Sequence, residues 1–174
     1  MAKTESTQLN EKRTTGVQTS TDLSSPGVSE ISHALCQLLA DVFALYLKTK
    51  NFHWHMSGHH FRDYHLLLDE HAEQLFAMTD AIAERARKLG GATIRSIGDI
   101  SKYQRLRDNN EEFVAPESMI EELAADSLRL TGFLRASHEV GGQNKDVATA
   151  SLIETWIDET ERRTWFLGEI SKSR

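Results

Sequence analysis

Cysteine and proline are nearly missing from this chain. Cys36 stands alone, which excludes an internal disulfide and a cysteine zinc motif. Pro26 and Pro116 are the only prolines, and ten glycines are spread over 174 residues, so long stretches run without a helix breaker. An all-helical protein is the expectation. No run approaches the roughly 18 apolar residues of a membrane helix, and the opening MAKTESTQLNEKRTT lacks the apolar stretch of a signal peptide, so a cytoplasmic protein with no membrane contact is expected. Positive charge is not in excess either: 20 Lys and Arg face 26 Asp and Glu, a net charge of −6. The chain as a whole is therefore not a nucleic-acid binder by charge, and any DNA contact has to be local. What is present, 39% hydrophobic and 26% charged residues, suits one globular domain with a packed core.

Residues 1–27 are rich in Thr, Ser, Gln and charge and end at Ser25-Pro26-Gly27, which reads as a flexible tail before a domain over 28–174. From Ser29 onward Ile31, Leu35, Leu38, Val42 and Leu45 recur in steps of four and three, with Cys36, Leu39, Phe43 and Leu47 on a second apolar line, so the first helix is well buried. It stops near Ser57-Gly58. A second helix carries Phe61, Tyr64, Leu68, Ala72, Leu75, Ile82, Ala86 and Leu89 and closes at Gly90-Gly91 after Arg85, Arg87 and Lys88. A short helix is expected near Ser96–Tyr103 within a long crossover. Pro116 suits a first turn, Ile120, Leu123, Leu130 and Leu134 run to Gly141-Gly142, and Ile153, Trp156, Ile157, Trp165 and Leu167 mark the last helix. Four long helices with one extended crossover describe an up-down-down-up bundle of the ferritin-like kind.

Six of the eight histidines, His53, His55, His59, His60, His65 and His71, fall within nineteen residues. Histidine clusters are more often surfaces than metal sites, but carboxylates stand beside these. His65 and Asp69 are spaced i,i+4, as are Asp80 and Glu84, which lets two helical side chains reach one ion. With His65 at 0°, Asp69 lies at about 40°, Asp80 at about 60° and Glu84 at about 100° around the helix, so all four share a face. The helix's apolar stripe averages near −70° on this scale, so the four point about 120° away from the core. Asp69 and Asp80 lie about 16 Å apart along the axis, too far to share one ion. Each pair is half a site. An antiparallel copy of the helix places residue i opposite a residue whose number makes a constant total, and His65 with Glu84 makes the same total as Asp69 with Asp80. Two half-sites therefore meet their complements across a two-fold axis between Gln74 and Leu75, with Leu66, Phe76 and Ala77 on the same outward face and His53 at the end of the preceding helix able to complete each set. Imidazole and carboxylate without thiolate suit Fe(II), Mn(II) or Zn(II), and ligand type does not choose among them.

The stretch Asn51-Phe52-His53-Trp54-His55-Met56-Ser57-Gly58, followed by Phe61, His65, Asp69, Asp80, Ile82-Ala83-Glu84-Arg85 and Gly90-Gly91, resembles the Dps family, the mini-ferritins named as DNA-binding proteins from starved cells. Glu161 and Trp165 match a weaker family pattern. The resemblance implies a hollow homododecameric shell that oxidises Fe(II), preferably with hydrogen peroxide, stores a ferric mineral core and protects DNA from oxidative damage. It implies ferroxidase ligands at His53, His65 and Asp69 of one subunit and Asp80 and Glu84 of its two-fold partner, with iron bound and zinc or manganese as substitutes. By the same resemblance Trp54 intercepts oxidising equivalents; an aromatic packed in the dimer interface is an equal reading. His55 stands where the family usually has Asn or Tyr, and His59 and His60 add imidazoles near the site; extra metal ligands and surface residues are the two readings, and the surface one is favoured. The family's acidic iron-entry pore maps onto Asp146, with Ser151 replacing one acidic position and Glu154 and Asp158 as further candidates. Glu30-Ile31-Ser32-His33 is a single Glu-x-x-His, whereas a di-iron site inside a bundle needs two, so such a site is disfavoured.

Two other functions compete. One is a DNA-binding, nucleoid-compacting protein, which would use Lys3, Lys12 and Arg13 of the tail. Glu5, Glu11 and Asp22 cancel those charges, an acidic shell repels phosphate, and the expected binding is weak, with Lys172 and Arg174 as a second patch. The other is a metal-buffering shell with little oxidase activity.

Overall fold

The computed structural model describes residues 19–172, and five helices cover most of them: α1 (Ser25–His55), α2 (Phe61–Lys88), α3 (Ile97–Tyr103), α4 (Pro116–Gln143) and α5 (Val147–Ser171). The first helix begins inside the stretch expected as tail. Ser24 is its N-cap, its Oγ accepting from the Gly27 N–H at 3.2 Å, and Pro26 sits in the first turn, where its fixed φ favours the helix and its missing N–H costs nothing. Ser-Pro-Gly here starts a helix. Lys3, Lys12, Arg13 and Arg174 lie outside the described residues.

At the far end of α1, Gly58 adopts φ 92° to turn the chain into α2, and Gly90 at φ 84° ends that helix. Ser96 caps α3 through the Asp99 N–H at 3.2 Å. The pair Gly141-Gly142 does not stop α4, which runs on to Gln143. Gly141 is buried because α5 packs over it: a Cβ there would lie 3.5 Å from the Ala150 nitrogen and the Asp146 oxygen.

Side-chain pairs fix the topology. Lys48 of α1 meets Asp126 of α4 at 2.7 Å, and Gly27 abuts Asn144, so α1 and α4 are antiparallel. Arg85 meets Asp146 at 2.5 Å and Gln74 meets Arg163 at 3.4 Å, so α2 and α5 are antiparallel. With α1 and α2 joined by a short turn, the order is up-down-down-up. Leu38, Val42, Leu68, Ile82, Leu130, Leu134 and Ile153 fill the centre with no solvent exposure.

Contrary to the expectation from apolar runs, α1 is long and apolar enough to cross a membrane by length and composition, its best 18-residue window having a mean hydropathy of 1.3. Half of that window is buried against the other helices, as in the core helix of a bundle. The crossover is tied down by ions: Asp41, fully buried, accepts from the Arg105 and Leu106 backbone and from the Arg105 guanidinium, which also lies 3.9 Å from the Phe133 ring centre.

Candidate metal centre

The end of α1 and the start of α2 are brought together by the turn at Gly58, and two histidines lock that junction. The His53 and His65 rings stack with centroids 3.7 Å apart. Each Nδ1 faces the other residue's backbone carbonyl, His53 to His65 O at 2.8 Å and His65 to His53 O at 2.9 Å. A carbonyl only accepts, so both Nδ1 atoms carry the hydrogen, and in the neutral ring that leaves Nε2 as the nitrogen a metal would take. His53 is buried and its Nε2 lies 3.8 Å from Asp69 Oδ1, while His65 is partly exposed. Three of the expected residues thus meet at one corner.

Asp69 carries a partner that the sequence reasoning missed. Lys50 Nζ donates to its Oδ1 at 2.6 Å, and that bond holds the carboxyl below the usual range. Further along α2, Asp80 and Glu84 are both exposed, and Glu84 pairs with Lys88 at 3.0 Å. The signals were present in sequence: Lys50 precedes His53 by one helical turn, and Lys88 follows Glu84 by four residues. Among the described residues, no three His, Cys, Asp or Glu side chains are grouped closely enough to hold an ion. One chain alone offers two donor sets, and neither is complete.

Around both sets lies an apolar surface. Leu47, Trp54, Phe61, Leu66 and Phe76 are exposed, Trp54 by 59% with Lys50 Nζ 6.0 Å from its ring centre. A groove of about 740 Å³ between α2 and the α3 region is lined by Phe76, Ala77, Asp80, Ala83, Ile97 and Ile100. Exposed apolar area of this extent beside incomplete donor sets is what a second chain would cover.

The other histidines divide differently. His55, His59 and His60 are exposed, in keeping with the surface reading. His71 faces inward, and burial, with Arg163 and Arg162 adding to it, pushes its pKa down to about 4. The single Glu-x-x-His is not an interior donor pair either: Glu30 accepts from Asn144 at 3.0 Å, and exposed His33 packs edge-on against Tyr103. Cys36 is only partly buried, its thiol donating to the Ala92 carbonyl at 3.4 Å.

Asp146 departs from the pore expectation. It is 4% exposed and caps α5, accepting from the Thr149 N–H at 3.1 Å and the Thr149 hydroxyl at 2.5 Å, and it pairs with Arg85. A carboxylate satisfied by three donors and shut from solvent does not line a channel. Glu154 and Asp158 are exposed on α5, with Glu154 3.0 Å from His138.

Comparison with known proteins places this geometry in context. The ferritin-like domain family profile matches residues 32–173. A low temperature-induced protein of Nostoc, itself uncharacterized, is 34% identical over 138 residues, covering 79% of this chain and 77% of the relative. DNA protection during starvation protein 1 of Deinococcus radiodurans is 28% identical over 140 residues, covering 80% of this chain and 68% of that protein. The crystal structure of Dps from Thermosynechococcus elongatus superposes with a TM-score of 0.80 at 28% identity, over 83% of this chain and 91% of that one.

Proposed function

Because the chain belongs to the ferritin-like family, in its Dps branch, we propose that it is an iron-storage and detoxification protein whose ferroxidase centres lie between subunits. Fe(II) is the substrate. His53, His65 and Asp69 of one subunit receive it together with Asp80 and Glu84 of a two-fold copy, and a closed homododecamer holds the ferric product. Each Fe(II) gives up one electron, and hydrogen peroxide takes two as its O–O bond breaks and both oxygens reach the level of water. The chain supplies neutral imidazole nitrogens of fixed orientation and carboxylates that favour the higher charge of Fe(III). Glu154 and Asp158 provide negative charge on the route inward. Consuming Fe(II) and peroxide together protects DNA without contact with it.

The reading is carried by the reciprocal lock of His53 and His65, which fixes both rings and holds the His53 Nε2 3.8 Å from Asp69, while the complementary carboxylates stand farther along the same helix. Co-assembly tests it. Shells of Asp80→Ala/Glu84→Ala alone and of His53→Ala/His65→Ala alone should lack fast Fe(II) oxidation, whereas mixed shells should recover part of it. Mixed shells that stay as slow as the parents would refute shared sites.

A further inference from the structure

Two carboxylates of the centre are already held by cations of the same chain. Lys50 Nζ sits 2.6 Å from Asp69 Oδ1, the oxygen that faces His53 Nε2 at 3.8 Å. The ammonium therefore competes for the carboxylate oxygen that a metal held by His53 and Asp69 would need. Lys88 Nζ sits 3.0 Å from Glu84 Oε2. Lys88 lies one turn beyond Glu84 on the same helix, and Lys50, one turn before His53 on α1, reaches Asp69 of α2 across the turn at Gly58.

Their placement gains meaning where two chains meet. Asp69 of one chain is brought beside Asp80 and Glu84 of a second, and three carboxylates in one partly desolvated contact repel each other when no metal is bound. Resting on the shared-site reading, we propose that Lys50 and Lys88 are resident counter-ions of the metal centre, neutralising its carboxylates in the empty assembly and yielding them to the entering divalent cation. Lysine suits this role: it is a point charge on a flexible stem with no bidentate grip on a carboxylate. A displaced Lys50 has a place to go, because its ammonium is already 6.0 Å from the centre of the Trp54 ring, one turn farther along α1. Lys88, with its side chain 63% exposed, returns to water.

Two opposite effects follow from one substitution. Removing an ammonium that competes with the metal raises affinity, by about twofold to fivefold per lysine for pairs at this level of exposure. Removing it from the empty assembly weakens the two-fold contact. A lysine that merely packs at the junction would produce neither in that combination.

The experiment uses full-length protein, the variants Lys50→Met, Lys88→Met and their double, and Zn²⁺ as a redox-inactive probe. Calorimetric titration should show tighter Zn²⁺ binding in each single variant and more in the double. Native mass spectrometry in chelator should show the double variant dissociating while the wild type stays assembled, with Zn²⁺ restoring the particle. Lys50→Arg, which keeps the charge and gains a bidentate grip, should bind Zn²⁺ no more tightly than the wild type. Unchanged or weaker Zn²⁺ binding in the Met variants, with equal assembly in chelator, overturns the role of the lysines. An Asp80→Ala control separates the two readings: if it binds Zn²⁺ like the wild type, the shared site itself fails and the proposal with it, whereas lost binding there leaves the lysine result to decide alone.

Discussion

Replacing Asp146 by alanine separates a structural carboxylate from a channel carboxylate. The side chain makes three contacts, to the Thr149 N–H, the Thr149 hydroxyl and the Arg85 guanidinium, at 3.1, 2.5 and 2.5 Å. Loss of the cap costs about 1 kcal/mol. Loss of the ion pair costs up to about 3 kcal/mol more where the remaining charge stays buried. The Arg85 side chain is 16% exposed and keeps its 2.8 Å bond to the Thr149 hydroxyl, which reduces that second cost. The expected destabilisation is about 3 kcal/mol for Asp146→Ala. Asp146→Asn retains a cap acceptor and should lose about half as much. Urea unfolding in chelator, at one fixed protein concentration because assembly contributes to stability, reads the difference. In a double-mutant cycle with Arg85→Met the two losses should fall well short of adding. An unchanged urea midpoint together with slowed iron uptake would refute this reasoning and return Asp146 to a channel.

Mild acid should destabilise the fold through His71. Its pKa, near 6.5 when unfolded and about 4 when folded, means the unfolded chain takes the proton first, so the contribution is complete above pH 6.5 and is lost as pH falls toward 4, about 2 kcal/mol by pH 5. His71→Leu in chelator should flatten that part of the stability profile, and unchanged pH dependence would contradict the buried neutral imidazole. In stopped flow, Fe(II) should be oxidised much faster by hydrogen peroxide than by dioxygen; equal rates would reject the peroxide preference. DNA should bind weakly or not at all at about 0.15 M salt, where screening leaves a tail with balanced charges little attraction. A gel shift across a salt series, with full-length protein and a form lacking residues 1–27, checks this, and a tight complex at that salt would overturn it.

Periodicity alone was enough for the helices. Apolar residues in steps of three and four along Ile31–Leu45, Leu68–Leu89 and Ile120–Leu134 specify amphipathic faces, and such faces are buried whatever the partner. The shared outward face of His65, Asp69, Asp80 and Glu84 was equally legible, since a helix turns 100° per residue regardless of its surroundings. Boundaries were less so. Ser25-Pro26-Gly27 reads as a breaker until Ser24 caps it, and Gly141-Gly142 reads as a stop although α4 runs on through both to Gln143.

Tertiary structure alone decided which of the ionisable groups face one another. His71 shares its sequence neighbourhood with the metal-centre residues, yet it is buried in the bundle where Arg163 and Arg162 act on it, because two residues beyond Asp69 the helix has turned by about 200°. Asp146 looks like any acid at a helix start until Arg85, 61 residues earlier, is placed against it. Lys50 reaches Asp69 only because the turn at Gly58 folds α2 back along α1. Local pattern fixes faces, since helix geometry is independent of distance in the fold. Partners across elements depend on how the helices pack, which no single helix contains.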